Sequence, residues 1–317
     1  MKTLWWTLAA VGLYGLIYAL LPELMRFLLR VCLWPRYDLR VRGREHIPAR
    51  GAVLVAASHV SWIDGFVVAA ALPRSGRALV NGRFLALPIL RQLALRGGVI
   101  PLPTGGAGGP RAAISAARAA LRRGELLLIF PEGQLSRNGL MSPFQRGVEV
   151  ILKGHGDDVP VIPAYVGGLW GSIFSYWGGS TLDRWPRGWR RRLTVAFGPP
   201  VGFPATSATI RRAVQEASTA FPALGRLETI DLALPHWEHP SMGLIAASTA
   251  DFDRAGIRQA GRRPGTLGQA LPGVAIRAAE PGAGGVGRLE VRRFGGDWED
   301  SGRRGKVDGD GFVTFDI

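Results

Sequence analysis

The chain has very little cysteine, lysine or histidine, and each shortage excludes something. Cys32 is the only cysteine among 317 residues. A lone thiol excludes an internal disulfide and fits a reducing, cytoplasmic environment. Lysine occurs only at positions 2, 153 and 306, so the formal net charge of +15 is carried almost wholly by arginine. A balance this basic raises nucleic acid and anionic membrane as partners. No zinc-ligand spacing, aromatic RNA-binding motif or helix-turn-helix pattern accompanies it, which removes nucleic acid and leaves the membrane. Apolar residues make up 47% of the chain, enough to pack one α/β domain of ordinary size and an extension.

The membrane is also indicated by the first 35 residues. Thr3 to Leu21 is a run of 19 uncharged, mostly apolar residues, close to the roughly 20 that cross a hydrocarbon core of about 30 Å. Trp5, Trp6 and Trp34 suit an interface, and Arg26, Arg30 and Arg36 after the run would keep the rest of the chain in the cytoplasm. A cleaved signal peptide is the competing reading, but no small-residue cleavage site comes after the run and the apolar character resumes from Leu24 to Trp34. Residues 1–35 are therefore expected to anchor the protein to the inner (cytoplasmic) membrane. They would do so either by spanning it or as a bent helix pair broken at Pro22-Glu23.

Two polar motifs stand at the ends of two apolar runs. Ala52 to Ala57 reads as a buried strand ending at Ser58-His59-Val60-Ser61-Trp62-Ile63-Asp64; Leu126 to Phe130 reads as another, ending at Pro131-Glu132-Gly133. A histidine and a carboxylate in one site can act as a general base and its orienter. On a single helix His59 and Asp64 would stand about 140° apart, so a turn must separate them, with His59 in the loop and Asp64 in the first turn of the next helix. The plainer alternative makes Ser61 a helix cap with Asp64 in the first turn; Asp64 can do both. Ligands of open α/β sheets bind beyond the carboxyl ends of parallel strands, so the two motifs are expected to face one cleft.

From Tyr37 to Pro200 the chain resembles the glycerolipid acyltransferases, on this histidine-aspartate pair and the downstream Phe130-Pro131-Glu132-Gly133. Within them it is similar to the acyltransferase half of a bifunctional 2-acylglycerophosphoethanolamine acyltransferase/acyl-carrier-protein synthetase, through Ser58 to Pro73, Val99 to Pro103 and Leu127 to Gly147. The resemblance implies His59 as the base on a lysophospholipid hydroxyl, Asp64 as its orienter, and Glu132 with Gly133 as ligands of the glycerol-phosphate portion. The acyl donor it implies is a thioester of acyl carrier protein or coenzyme A, with no metal or other cofactor. Many relatives that form phosphatidic acid carry an arginine where this chain has Pro101-Leu102-Pro103. That difference fits a phosphodiester acceptor better than a phosphate monoester. No serine or cysteine stands in a recognisable nucleophile elbow, so no covalent acyl-enzyme is expected. The alternatives are lysophosphatidic acid acylation, a hydrolase or thioesterase with His59 activating water, and a silent membrane-binding scaffold.

The expected architecture is an α/β sheet flanked by helices (36–221), after the membrane helix or helix pair and before a small β-rich extension (222–317). The helices expected are Trp62 to Ala71, Leu87 to Leu95, Pro110 to Arg123, Arg146 to Leu152 and Ser207 to Ala220; Arg146, at the start of the fourth, is a further phosphate candidate. The glycine-rich loop 104–109 lacks the Lys-Ser/Thr pair of a phosphate loop. Leu169 to Trp189, with four tryptophans, reads as a loop near the lipid surface. After about Pro240, short alternating strands and glycine turns resemble a fragment of an adenylate-forming acyl ligase. Its phosphate loop, ribose aspartate and terminal lysine domain are missing, so an inactive remnant is expected. His236 and His239 are too few, without a third ligand, to make a metal site.

Overall fold

The computed structural model describes residues 22–82, 88–102, 109–155, 158–176, 190–220, 230–254 and 257–316. The expected span Thr3 to Leu21, most of the 104–109 loop and the tryptophan-rich stretch from 177 on lie outside these residues. So does the boundary at 221/222.

A seven-stranded sheet organises the first two thirds of the chain: β1 (Tyr37–Arg42), β2 (Val53–Ala57), β3 (Arg77–Asn81), β4 (Val99–Leu102), β5 (Leu126–Ile129), β6 (Val161–Gly167) and β7 (Arg191–Phe197), in the order β1-β7-β6-β2-β5-β3-β4. β2, β3, β4, β5 and β6 run parallel, while β1 and β7 run against them. Every residue of β2, β5 and β6 is buried, as uninterrupted apolar strands require when both sheet faces are covered. The period of two sorts their side chains. Val53, Val55 and Ala57 join a core with Val67, Val68 and Ala71 of helix α2 (Asp64–Ala71). Leu54 and Ala56 join the opposite core with Ala117 and Leu121 of α4 (Gly109–Arg122), Ile151 of α5 (Gly147–Leu152) and Ile210 and Val214 of α6 (Ser207–Ser218). Helix α3 (Pro88–Arg96) leads into β4, an edge strand, where Pro101 is tolerated because the sheet ends there.

Helix α1, residues 22–33, sits on the end of α2. The last carbonyls of α2 have no partners within the helix. Arg26 donates to Ala69 and Leu72, Arg30 Nε to Ala70 at 2.7 Å and Arg44 Nε to Ala71 at 2.9 Å. Three cations thus satisfy the negative end of α2. On the other side of α1, Leu24, Phe27, Leu28 and Val31, spaced to share one helix face, are exposed together with the adjoining Trp34. No helix among the described residues is long and apolar enough to cross a membrane.

Among the described residues the C-terminal region is built of β-strands, turns and one 3-10 turn at Ala283–Gly285. Strands β13 (Val274–Ala279), β14 (Gly287–Arg293), β15 (Glu299–Val307) and β16 (Val313–Phe315) form an antiparallel meander. Strands β8 (His236–His239), β9 (Gly243–Ala247) and β12 (Gln269–Ala270) form a second sheet, and β10 (Phe252–Arg254) with β11 (Ile257–Gln259) a hairpin. Their core, with Trp237, Ile245, Leu271, Leu289 and Val313, also takes in Leu140 from the acidic-motif loop. The extension is therefore packed onto the α/β domain and not tethered beside it. His236 and His239 lie at the two ends of β8. The Nδ1 of His236 meets Leu234 O at 3.0 Å and that of His239 meets Ser241 Oγ at 3.1 Å. Among the described residues no three histidine, cysteine or acidic side chains cluster as a metal would need.

Candidate active site

β2 delivers His59. Ser58 continues the pairing past the strand end, its N–H donating to Ala164 O at 3.1 Å and its Oγ accepting from Val166 N at 3.0 Å. The chain then turns through 60–63 and enters α2 at Asp64, two residues later than sequence placed the helix start. Ser61 does not cap α2: its Oγ accepts from Ile63 N at 3.3 Å and donates to Asp64 Oδ1 at 2.6 Å. Asp64 is fully buried, and its Oδ2 accepts from Val60 N at 2.6 Å, from Ser61 N at 2.8 Å and from the His59 ring at 3.0 Å. One carboxylate thus closes the turn and orients the imidazole.

Because Asp64 Oδ2 accepts, His59 carries its proton on Nδ1, and Nε2 is left with a lone pair. Among the described residues nothing hydrogen-bonds Nε2, and the side chain keeps 22% of its surface exposed. The ring lies against Phe130, centroids 4.2 Å apart and planes 25° from parallel. Phe130 comes immediately after β5, which pairs with β2 in register from Val53–Leu126 to Ala56–Ile129, so adjacent parallel strands present both motifs at one end of the sheet.

The second motif is built inward. Glu132 is 1% exposed; its Oε1 accepts from His59 N and its Oε2 from Ser142 N, both at 2.8 Å. The expected contact with glycerol phosphate finds no free oxygen on this carboxyl, since both are engaged within the fold. Glu132 instead ties the His59 backbone to the loop beyond Gly133. Burial pushes its pKa up to about 8, against the pull of the Ser142 and His59 N–H groups and the Arg211 charge. Gly133 takes φ +69°, a conformation only glycine adopts cheaply, and is exposed beside Gln145, whose N–H donates to Pro131 O at 2.8 Å. Arg146 is next in the chain, exposed, as the N-cap of α5.

Two buried groups beside the motifs carry little signal in the sequence. Arg211, buried on α6, donates from Nε to Ser142 O at 3.3 Å and from Nη2 to Met141 O at 2.8 Å, fixing the segment that holds Glu132. Burial lowers its pKa to about 10, opposed by Glu132, Asp310 and Asp308. Tyr165, buried in β6, has its phenol pushed up by burial and then by the Glu132 and Asp64 charges. Helical phase hints only weakly that Arg211 turns inward and Arg212 does not.

Residues 38–167 match the protein family described as Acyltransferase. The 1-acyl-sn-glycerol-3-phosphate acyltransferase of Limnanthes douglasii is 29% identical over 172 residues, which is 51% of this chain and 54% of the relative. The chloroplastic enzyme BAT2 of that name from Brassica napus is 26% identical over 137 residues, 42% of this chain and 38% of the relative. The chain thus spans about half, or less, of the curated relatives it matches. The crystal structure of the 1-acyl-sn-glycerophosphate (LPA) acyltransferase PlsC from Thermotoga maritima aligns with a TM-score of 0.51 over 65% of this chain and 81% of its own; at 19% identity that likeness is one of fold. These names are those of 1-acyl-sn-glycerol-3-phosphate acyltransferases and not of the bifunctional enzyme. Both motifs thus lie within the residues that match the Acyltransferase family, and about half of the chain is similar to 1-acyl-sn-glycerol-3-phosphate acyltransferases.

Proposed function

We propose that this protein transfers a fatty acyl group from a thioester of acyl carrier protein or coenzyme A to the free hydroxyl of a lysophospholipid. The observation that carries the reading is the His59–Asp64 pair, with Nδ1–H on a buried carboxylate and Nε2 unoccupied and reachable. Nε2 takes the hydroxyl proton as the oxygen attacks the thioester carbonyl. The tetrahedral oxyanion then collapses, the carbon–sulfur bond breaks, and the imidazolium returns its proton to the departing thiolate. A water in place of the lysolipid would give hydrolysis by the same groups.

The relatives' names make 1-acyl-glycerol 3-phosphate the first acceptor to offer. Pro101 and Leu102, where many phosphatidic-acid-forming relatives carry arginine, favour a phosphodiester headgroup as the second reading. The exposed apolar face of α1, with exposed Trp62 and Phe66 at the start of α2, supports an active site placed against a lipid surface on the cytoplasmic side of the membrane. The C-terminal unit is taken as a remnant that activates no acyl group itself.

The deciding experiment offers purified protein both acceptor types with acyl carrier protein and coenzyme A thioesters, monitoring acylated product and free thiol. Product that requires lysolipid supports the reading. Thiol release of equal rate with and without lysolipid, and no acylated product, would make the protein a thioesterase.

A further inference from the structure

His59 is held by its backbone as well as by its ring. Its N–H donates to Glu132 Oε1 at 2.8 Å, and its carbonyl accepts from Ser136 N at 2.9 Å. Both partners belong to one stretch of chain, which Glu132 closes on itself by accepting from Ser142 N at 2.8 Å. Residues 132–142 therefore clasp the peptide groups on either side of the His59 Cα. Asp64 fixes the rotation of the ring, and this loop fixes the atom from which the ring hangs.

The loop is placed in part by Arg211 of α6 and otherwise by the C-terminal unit. Gln259, at the end of β11, is 3% exposed and meets the loop with its whole amide. Its Oε1 accepts from Arg137 N at 2.6 Å, and its Nε2 donates to Asn138 Oδ1 at 2.6 Å and to Leu140 O at 3.2 Å. Asn138 Nδ2 donates to Thr249 Oγ1 at 2.7 Å, and Gln269 Nε2 reaches Met141 O at 3.4 Å. The Arg137 guanidinium adds a contact 5.1 Å from the ring centroid of Phe252 in β10. Buried amides satisfied this fully specify one loop position. Arg137 follows Ser136 in the chain, so the bond from Gln259 stands next to the bond that holds His59 O. Thr249, Gln259 and Gln269 all lie outside the residues 38–167 that match the family.

We propose that the C-terminal unit is part of the catalytic apparatus, in which Gln259, acting through the 136–142 loop, positions the His59 backbone for proton abstraction. The proposal rests on the acyl-transfer reading above. Gln259 touches no reacting atom and is a positioning residue. Its leverage comes from the steep dependence of rate on geometry, since a catalytic group misplaced by about 1 Å costs about a hundredfold. The unit thereby serves the acyl-transfer site although it activates no acyl group itself.

The test compares the full-length protein with Gln259→Leu, which keeps the side chain's size without its polar atoms, and with Thr249→Val, which removes only the hydroxyl that Asn138 bonds. Arg258→Gln, an exposed change on the same strand, is the control. Steady-state transfer to a lysophospholipid is measured beside amide hydrogen exchange resolved to peptides. In Gln259→Leu kcat should fall about ten- to hundredfold, and in Thr249→Val by less. The KM of donor and acceptor should stay within about twofold, as for a change felt in the transition state alone. Exchange in the peptide carrying the His59 N–H should quicken about tenfold or more, while β2, β5 and the C-terminal core exchange as before. Arg258→Gln should match the unmodified protein in both readouts. A folded Gln259→Leu with unchanged kcat overturns the proposal, and so does a raised KM at unchanged kcat. Exchange that quickens only within residues 240–317 also overturns it, because Gln259 would then support its own unit and not His59. If Gln259→Leu does not fold, Thr249→Val decides by the same two readouts. An unmodified protein that transfers no acyl group would sink the acyl-transfer reading instead, and exchange at His59 would then decide the link by itself.

Discussion

Replacing Asp64 by Asn and, separately, by Ala divides its two jobs. In Asp64→Asn the amide oxygen can take the place of Oδ2 and keep the Val60 and Ser61 N–H bonds. Its NH2 then faces Ser61 Oγ, which can rotate to accept. The turn should survive, with a loss of about 1–3 kcal/mol as charge-assisted bonds become neutral ones. Chemistry should suffer more, because an imidazolium formed 3.0 Å from Asp64 Oδ2 loses its counter-charge. Two unit charges about 4 Å apart at an effective dielectric near 20 attract by about 4 kcal/mol. His59 keeps 22% of its side chain exposed, and screening reduces the loss to about 2–4 kcal/mol, roughly 30- to 1,000-fold in kcat. Asp64→Ala leaves four donors without their acceptor instead, at about 1–3 kcal/mol for each that stays buried. That is a large share of an ordinary domain's roughly 5–15 kcal/mol, so this variant should melt far earlier. The assay is thiol release with product analysis, alongside thermal melts. An Asp64→Asn protein of near-normal Tm that transfers within about threefold of the unmodified enzyme would refute the orienting role.

Other outcomes are expected from the same structure. His59→Ala should lose about 10²- to 10⁴-fold in transfer with little change in Tm, and near-normal turnover in a host free of the endogenous activity would exclude it as the base. Glu132 has its folded pKa raised by burial to about 8. Its neutral form is the one the fold prefers, so that stabilisation is complete below the unfolded value near 4.3 and is lost as pH rises through about 8. Melting should decline across this window and decline less in Glu132→Gln; parallel Tm-against-pH curves for the two proteins would count against the burial argument. Removing residues 1–35 should release the protein from membranes and also lower Tm, since Ala69, Ala70 and Leu72 lose the Arg26 and Arg30 donors. A shortened protein that melts like the full chain would show that those contacts do not stabilise α2. Free fatty acid with ATP should give no product while a preformed thioester does, and pyrophosphate release that disappears on deleting residues 240–317 would restore a ligase activity.

The features legible in the residues alone were the local ones. Continuous apolar runs mark Val53–Ala57 and Leu126–Ile129 as buried strands. Pro110 near the start and Gly124 past the end bracket α4, and His59 five residues before Asp64 demands a turn. Each depends on neighbours within a few positions, so periodicity and capping chemistry suffice. The strand order was not local, and with it came everything that depends on β5 lying beside β2. Only that adjacency lets Glu132 reach the His59 N–H across 73 positions of sequence, and a carboxylate's burial cannot be read from the Pro-Glu-Gly turn that carries it. The same limit hid Arg211, one arginine among many until α6 packs it over Met141 and Ser142. It also hid the grip of Gln259 and Phe252 on the Arg137 loop, more than 110 residues away. Hydrogen bonds and ring contacts are satisfied in space, and composition cannot say which distant donor finds which acceptor until the sheets have been stacked.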